Sequence, residues 1–398
     1  MKIVADENIP LINEFFSDIG DVQLHPGRTL SAEQVHDADI LLVRSVTKVN
    51  PSLLEGSNVK FVGTATIGVD HVDTYYLHQH GIGFSSAPGC NASSVVDYVM
   101  SVLSVLSVFE EGERDGVDPF HKTVGIVGCG NVGGLLAKRL KGLGVTCLLC
   151  DPPLAEEQAG SDVPPNLKTG YVSLEEALQA DVVSLHTPLT AEGDHPTYHL
   201  LNESTLRLLK PGAILINSGR GPVIDNQALL TMLEQSSAPT VVLDVWESEP
   251  DISLPLLKQV ALGTPHIAGY SFDGKCRGTE MIYEAACRFF GMPRRKKMEQ
   301  FMPEPSLAGL RFSDEVVKLD AINIATRSCY DVRRDDALFR RTMLNENAKD
   351  IELRSKSFDL LRKNYPVRRE FSTLKISAKN CDGKVLSALR YAGFNLSD

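Results

Sequence analysis

Residues 121–151 read HKTVGIVGCGNVGGLLAKRLKGLGVTCLLCD, and this stretch decides the fold. The run Val124 to Val127 is short, apolar and rich in β-branched residues, as a buried parallel strand should be. It passes into Gly128-Cys129-Gly130-Asn131-Val132-Gly133, a GxGxxG pattern. Leu135 to Leu143 then reads as a helix closed by Gly144, and Val145 to Cys150 as a second strand ending in Asp151. Each part has a physical reason. Gly128 permits the tight turn off the strand, Gly130 lets a pyrophosphate approach the backbone, and Gly133 lets the helix pack closely on the sheet. The helix N-terminus offers free N–H groups and a positive dipole end to phosphates, and Asn131 and Val132 within the glycine pattern are candidate cofactor contacts. Asp151 follows Gly133 by 18 residues, a spacing suited to the acid that binds a ribose 2′-hydroxyl. Its charge favours NAD over NADP, and Pro152 and Pro153 follow it rather than an Arg. Glycines also gather in ordinary turns; strand, glycines, helix, strand and acid in this order are what mark a dinucleotide site.

The rest of the chain sets bounds. A length of 398 residues calls for more than one domain, and 43% hydrophobic residues for a folded chain. A net charge of −11 argues against nucleic acid as the main partner. Met1-Lys2-Ile3-Val4-Ala5-Asp6 reads as a strand and an acid rather than a leader. The best membrane candidate, Val95 to Phe109, contains Asp97 and three serines and is too short. A soluble, cytoplasmic protein with no membrane partner is expected. The eight cysteines are scattered, which suggests reduced thiols. Cys147 and Cys150 form a CxxC, but on a strand, positions three apart face opposite sides, so core packing is the better reading.

Upstream, strand-like runs at Lys2–Ala5, Ile40–Val43, Val59–Thr64 and Ile82–Ser85 alternate with helical or polar stretches, implying a second parallel α/β unit. Three stretches at or beyond their ends matter, because ligands collect beyond strand C-termini. They are Arg44-Ser45-Val46-Thr47, suited to a phosphate or another anion, Thr64 to Asp70, suited to a carboxylate, and Ala87 to Ala92. Asn91 reads as the N-cap of an apolar helix over 92–108. Downstream of Asp151 the sequence predicts a polar loop over 152–169, a helix over Leu174–Gln179, and strands at Val182–Leu185, Ala213–Asn217, Thr240–Leu243 and Val260–Gly263. Each strand ends in a polar group, so Arg220, Glu249 and His266 are expected to converge at the nicotinamide end of the cofactor.

GCGNVG with Asp151, SGRGPVIDNQAL at 218–229, LDVWESEP at 243–250 and TPHIAG at 264–269 resemble the signatures of the D-isomer specific 2-hydroxyacid dehydrogenases. IGVDHVD (67–73) and APGCNA (87–92) are similar to that family's substrate-domain signatures. The opening KIVADENIP, RSVTKVN, TATIGVDHVD, Tyr270 and a tail of about 100 residues resemble the branch whose substrate is a phosphorylated four-carbon acid. The resemblance implies an α/β fold of two Rossmann-like parallel-sheet domains plus a C-terminal α+β dimerisation domain. The NAD-binding domain (99–267) is inserted in a flavodoxin-like substrate domain (1–98, completed by about 268–295), and 296–398 form the dimerisation domain, so a homodimer is implied.

Oxidising a 2-hydroxy acid needs a base, a cation for the carboxylate and a hydride acceptor. His266 can take the hydroxyl proton, Glu249 can orient it and stabilise its protonated form, and Arg220 can hold the carboxylate and polarise the C2 oxygen. The resemblance assigns the same roles to these positions. It places Asp244 near the nicotinamide carboxamide, Thr187 beside the adenosine half, and Ser218 and Gly269 at the cofactor. Ser45, Thr66 and Tyr270 match substrate-contacting positions. His195 and His199 sit four apart in HPTYH, but Pro196 argues against a helical metal pair. His71, His78 and His80 read as spread along a surface helix, and no metal site is predicted. The run Arg294 to Lys297 reads as a solvated linker. Beyond it the sequence predicts helices at Asp314–Cys329, Asp335–Met343, Ser357–Lys363 and Gly383–Ala392, a strand near Ser372–Ser377, and no catalytic constellation. A regulatory small-molecule domain is the other reading of this tail. A member acting on 3-phosphoglycerate is the nearest rival function. A non-catalytic NAD sensor explains the proton-relay residues less well, and a Rossmann methyltransferase explains neither His266 nor the second α/β unit.

Overall fold

A computed structural model describes residues 1–109, 120–160, 169–345 and 350–397. The chain packs as two compact units, Met1–Ser93 with Tyr270–Glu304, and Ser94–Gly269 with Pro305–Asp398.

The first unit is built on strands β1 (Lys2–Asp6), β2 (Asp21–His25), β3 (Ile40–Val43), β4 (Phe61–Thr64) and β5 (Gly83–Ser85). All pair in parallel, in the order β2-β1-β3-β4-β5, the flavodoxin order. Strand β3 is buried at every position, as its unbroken Ile-Leu-Leu-Val run dictates. On one face the helix Phe272–Phe289 places Ile282, Tyr283 and Ala286 against Ile3, Phe15, Phe16 and Ile40. Strand β2 escapes sequence reading because it is an edge strand with Asp21, Gln23 and His25 along it.

The second unit contains β6 (Thr123–Val127), β7 (Thr146–Cys150), β8 (Val182–Leu185), β9 (Ile214–Asn217), β10 (Thr240–Leu243) and β11 (Leu262–Gly263). They form one parallel sheet in the order β11-β10-β9-β8-β6-β7. The expectation of parallel, Rossmann-like sheets is therefore met in both units. The register pairs Val127 with Leu185, Leu185 with Asn217, Asn217 with Leu243, and Leu243 with Gly263. The residues that follow, Gly128, His186, Ser218, Asp244 and Thr264, thus stand in one row along the carboxyl edge.

The tail belongs to this same compact unit. Its strands β12 (Gly309–Arg311), β13 (Lys375–Ser377) and β14 (Asn395–Ser397) make a small parallel sheet. Phe339, Met343 and Phe358 share one core cluster with Leu243, Trp246, Leu256 and Leu257. The helix Gly383–Ala392 lies against Asn131–Leu143, where Gly142 leaves no room for a Cβ beside the Tyr391 ring. Buried Arg139 donates to Asp97 at 2.6 Å and to the Ala392 carbonyl at 2.9 Å.

Three local expectations are corrected. Residues 152–159 are helical rather than loop, because Pro is tolerated in a first turn and Asp151 caps the helix through the Leu154 N–H; 161–168 lie outside the described residues. The apolar helix runs Ala92–Val105, and Asn91 does not cap it, since its buried side-chain oxygen accepts no hydrogen bond. His71 precedes the helix Thr74–Gln79 and is half-buried, with Nε2 3.0 Å from Thr64 Oγ1.

Candidate active site

The carboxyl edge of the second unit's sheet carries the chemistry. The β6 turn follows the glycine logic closely. Gly128 has φ +87°, and a Cβ there would lie 2.8 Å from the His186 carbonyl carbon and the Thr187 nitrogen. A Cβ on Gly133 would sit 1.9 Å from the Gly128 carbonyl oxygen, so the helix can approach the strand this closely only at a glycine. Gly130 faces open space, with no atom within 4 Å of where its Cβ would be. The helix Asn131–Leu143 starts there with no side-chain cap, which leaves its first N–H groups, Asn131 and Val132 included, for an anion.

Asp151 is tied into the same turn. Its Oδ2 accepts the Cys129 N–H at 2.7 Å and its Oδ1 the Leu154 N–H at 3.1 Å. The carboxylate is thereby fixed in place, with lone pairs to spare for a diol. Across the turn, Thr187 Oγ1 is buried with no partner, a polar atom awaiting a ligand group. A glycine cradle, an uncapped helix start, a fixed acid and an orphaned hydroxyl together suit a dinucleotide. Cys129, Cys147 and Cys150 have thiols pushed up by burial, to about 12, 11 and 11, and all eight cysteines are free, so the CxxC is packing.

His186, between the glycines and Ser218, was not singled out by sequence. Its Nε2 is 2.9 Å from Ser184 Oγ and its Nδ1 3.4 Å from Ser218 Oγ. Burial holds its pKa down to about 4, although part of the ring's surface reaches solvent. It is a neutral ring in the row of strand ends.

His266 and Glu249 meet, with Nδ1 to Oε2 at 2.7 Å. Burial pushes the Glu249 carboxyl up, but the His266 charge and hydrogen bond, the Trp246 N–H and the Arg362 charge together leave it below its ordinary value. Glu249 Oε1 accepts that Trp246 N–H at 2.8 Å, which fixes the carboxylate at both oxygens. His266 has φ +57°, a conformation few side chains adopt, and Asp244 holds it there. The Asp244 carbonyl accepts the His266 N–H at 2.7 Å; its Oδ1 accepts Ile267 N–H at 2.8 Å and Thr264 Oγ1 at 2.6 Å, and its Oδ2 accepts Ala268 N–H at 2.9 Å. Burial raises the Asp244 pKa against these bonds and the His266 charge. Asp244 thus organises the loop that ends in Gly269.

Arg220 is half-buried, with Nη1 donating to the Gly219 carbonyl at 2.9 Å and its own carbonyl held by Asn217 at 3.0 Å. The next residue, Gly221, abuts the Trp246 carbonyl so closely that a Cβ would lie 2.0 Å from its oxygen. That approach sets the Arg220 segment beside the turn carrying Glu249. His199 Nε2 meets Glu247 Oε1 at 2.7 Å, and with Asp225 these side chains offer three ligand-type atoms within 4.8 Å of one another. Glu247 Oε2 also accepts the Asn226 N–H at 2.8 Å, so the cluster serves as a hydrogen-bonded tie between two loops.

In the first unit, the β4 end places Thr66 Oγ1 2.7 Å from Thr64 Oγ1 and 3.1 Å from the Gly68 carbonyl. Burial lowers the His71 pKa against the charge of Asp70. Ser45 is exposed after β3, next to half-buried Arg44, and Thr47 is buried with Oγ1 on the Gly27 carbonyl at 2.9 Å. Tyr270 begins the return segment, with the Lys275 ammonium 4.5 Å from its ring centre.

The family model for the NAD-binding domain of D-isomer specific 2-hydroxyacid dehydrogenases matches residues 105–268, and a model for a domain of unknown function matches 301–390. An erythronate-4-phosphate dehydrogenase of Marinobacter nauticus is 53% identical, with both chains covered in full. One of Proteus mirabilis is 49% identical over 99% of each chain. Among solved structures, an NAD-dependent formate dehydrogenase of Staphylococcus aureus in complex with NAD is similar at 26% identity and TM-score 0.55, covering 74% of this chain and 98% of its own. A D-lactate dehydrogenase of Aquifex aeolicus, at 24% identity and TM-score 0.56, shares the fold over 73% of this chain. With its glycine turn and its His–Glu pair on one sheet edge, the chain is an NAD-dependent oxidoreductase that belongs to the erythronate-4-phosphate dehydrogenases, within the D-isomer specific 2-hydroxyacid dehydrogenase family.

Proposed function

We propose that the protein oxidises 4-phospho-D-erythronate to 3-hydroxy-2-oxo-4-phosphooxybutanoate with NAD, a step of pyridoxal 5′-phosphate formation. The observation that carries the chemistry is the 2.7 Å His266–Glu249 pair beside the Arg220 segment. His266 Nε2 takes the C2 hydroxyl proton, and Glu249, fixed by Trp246, holds the ring and balances the charge it gains. Arg220 binds the substrate carboxylate in a bidentate pair and polarises the C2 oxygen. NAD, when bound, accepts the C2 hydride. Gly130 and the helix start would hold its pyrophosphate, Asp151 its adenosine ribose, Thr187 its adenosine half, and Ser218, Asp244 and Gly269 its nicotinamide end. Ser45, Thr66 and Tyr270 contact the substrate.

The reading extends to assembly and place. Residues 296–398 serve as a dimerisation domain, supported by exposed Leu353 and Leu360, seven apart on the helix Ile351–Lys363, and by Val367 at 73% exposure. Eight free thiols suit the reducing cytoplasm. No helix among the described residues is long and apolar enough to cross a membrane.

Turnover with NAD on 4-phospho-D-erythronate against 3-phospho-D-glycerate tests the substrate. Preference for the four-carbon acid is expected. Preference for phosphoglycerate keeps the chemistry and moves the protein to serine synthesis. Sedimentation of Leu353→Lys/Leu360→Lys against the parent tests the dimer, and an unchanged dimer would remove that interface.

A further inference from the structure

The peptides just after His266 are held from two sides. Asp244 takes the N–H groups of Ile267 and Ala268. Their carbonyls point the other way, to Arg368 in the tail. Its guanidinium donates to the Ile267 carbonyl at 3.4 Å, to the Ala268 carbonyl, and to the Ser94 carbonyl at 3.1 Å. Arg368 is buried and stacks over the Tyr330 ring, 4.4 Å from its centre, so the group is oriented before it meets these oxygens. Without it, carbonyls deep in the unit would lose their partner.

The grip extends along the same loop. Asp336 Oδ1 accepts the Gly263 N–H at 2.7 Å and Arg340 Nε at 2.7 Å. Arg340 in turn donates to the Leu257 carbonyl at 2.6 Å and the Val260 carbonyl at 2.7 Å. On the Glu249 side, Phe339 packs on Trp246 with ring centres 5.9 Å apart, and Arg354 pairs with Asp251. Trp246 is the residue whose N–H fixes Glu249, and its indole N–H donates to the Thr264 carbonyl at 2.9 Å. One tail segment thus buttresses both partners of the pair, and His266 sits in a backbone conformation that does not hold itself.

We propose that residues 305–397 act within their own chain as a brace for the His266–Glu249 pair, with Arg368 and Arg340 as positioning residues. This rests on the reading of that pair as the proton relay, and it gives the region that a model of unknown function matches a role that dimerisation does not supply.

The test uses the full chain. Steady-state kinetics with NAD and 4-phospho-D-erythronate, and NADH affinity by fluorescence titration, are measured for Arg368→Met, Arg340→Met, Arg340→Lys and His266→Asn. A relay out of register lowers kcat roughly ten- to a hundredfold in both Met variants, with KM and NADH affinity within about twofold of the parent. Arg340→Lys, which can still reach the loop carbonyls, recovers part of the loss. If Arg368→Met does not fold, Arg340→Met and the outlying Arg354→Gln carry the same comparison. Unchanged kcat in the arginine variants beside an inactive His266→Asn overturns the brace and spares the relay. Parallel loss of kcat and NADH affinity marks a purely structural role and overturns it as well. Turnover retained by His266→Asn overturns the relay itself, and the brace with it.

Discussion

His266 Nδ1 stands 2.7 Å from Glu249 Oε2, although the two residues leave the sheet from different strands. One carboxylate oxygen is committed to the ring and the other to the Trp246 N–H. This geometry leaves Nε2 as the only ring nitrogen able to exchange a proton with substrate. Glu249→Gln keeps the shape and removes the charge. In this variant kcat for oxidation should fall about 10²-fold or more, because the imidazolium formed on proton abstraction has lost its anion. Near-parental kcat in steady-state kinetics of this variant would remove Glu249 from the proposed relay.

The glycine turn makes a sharper steric prediction. A methyl at Gly133 would meet the Gly128 carbonyl oxygen at 1.9 Å, far inside contact distance, and the obstacle is backbone rather than a flexible side chain. Gly133→Ala should therefore push the helix Asn131–Leu143 off β6 and move its N-terminus away from the pyrophosphate. NADH affinity should drop about tenfold or more, with a cost of roughly 1–3 kcal/mol in stability. Gly130→Ala is the contrast, since a Cβ there meets only open space in the protein. It should leave stability unchanged within about 0.5 kcal/mol, as expected of an uncrowded site, and weaken only nucleotide binding. Calorimetry of both variants, with and without NADH, separates the two effects.

The partly buried imidazole of His186 makes stability depend on pH. Its folded-state pKa is about 4, below the ordinary value of 6.5 given for the free residue. Between these values the unfolded chain binds the proton and the folded one does not. This contribution is therefore complete above pH 6.5 and is lost as pH falls toward 4. The parent's melting temperature should decline across that window, and His186→Gln should show a flatter decline. Equal slopes for parent and variant would mean that His186 does not contribute.

The sheets and the His266–Glu249 contact are legible because their signals are local and periodic. Val124–Val127, the glycines and Asp151 announce one βαβ unit, and His266 follows a strand end by a few residues. What stayed hidden depends on distant partners. Strand β2 alternates polar and apolar residues at an edge, and β12 and β14 are three residues each, too short to carry a pattern. The helix after Asp151 was masked by prolines that suit a first turn. Asp244 matches a cofactor position, but its bonds to Thr264, Ile267 and Ala268 form only when the loop folds back on it, which no local pattern announces. The tail carries no catalytic cluster in its sequence, and the contacts of Arg340 and Arg368 with backbone carbonyls leave no mark there.

Asp97 and Arg139 show how firmly the tail is tied in. Asp97 is buried, with Oδ1 on Arg139 at 2.6 Å and Oδ2 accepting the Phe371 N–H at 2.8 Å. Burial raises its pKa to about 6, helped by the nearby Glu370 charge and opposed by Arg139. Removing the cation alone strands the carboxylate, so Arg139→Met should cost about 3 kcal/mol at pH 7.5. The folded state holds the Asp97 proton more tightly than the unfolded chain, so this group's contribution to stability diminishes as pH rises from about 4 to 6. Losing Arg139 raises the carboxyl further. Acidification then neutralises the stranded group, and the gap between variant and parent should narrow as pH falls from 7.5 to 5. Asp97→Asn/Arg139→Met, which strands no charge, should recover part of the loss at pH 7.5. Denaturant titrations of the parent and both variants at the two pH values read this directly. A gap independent of pH would mean that Arg139 acts through packing and its bond to the Ala392 carbonyl rather than through the charge of Asp97.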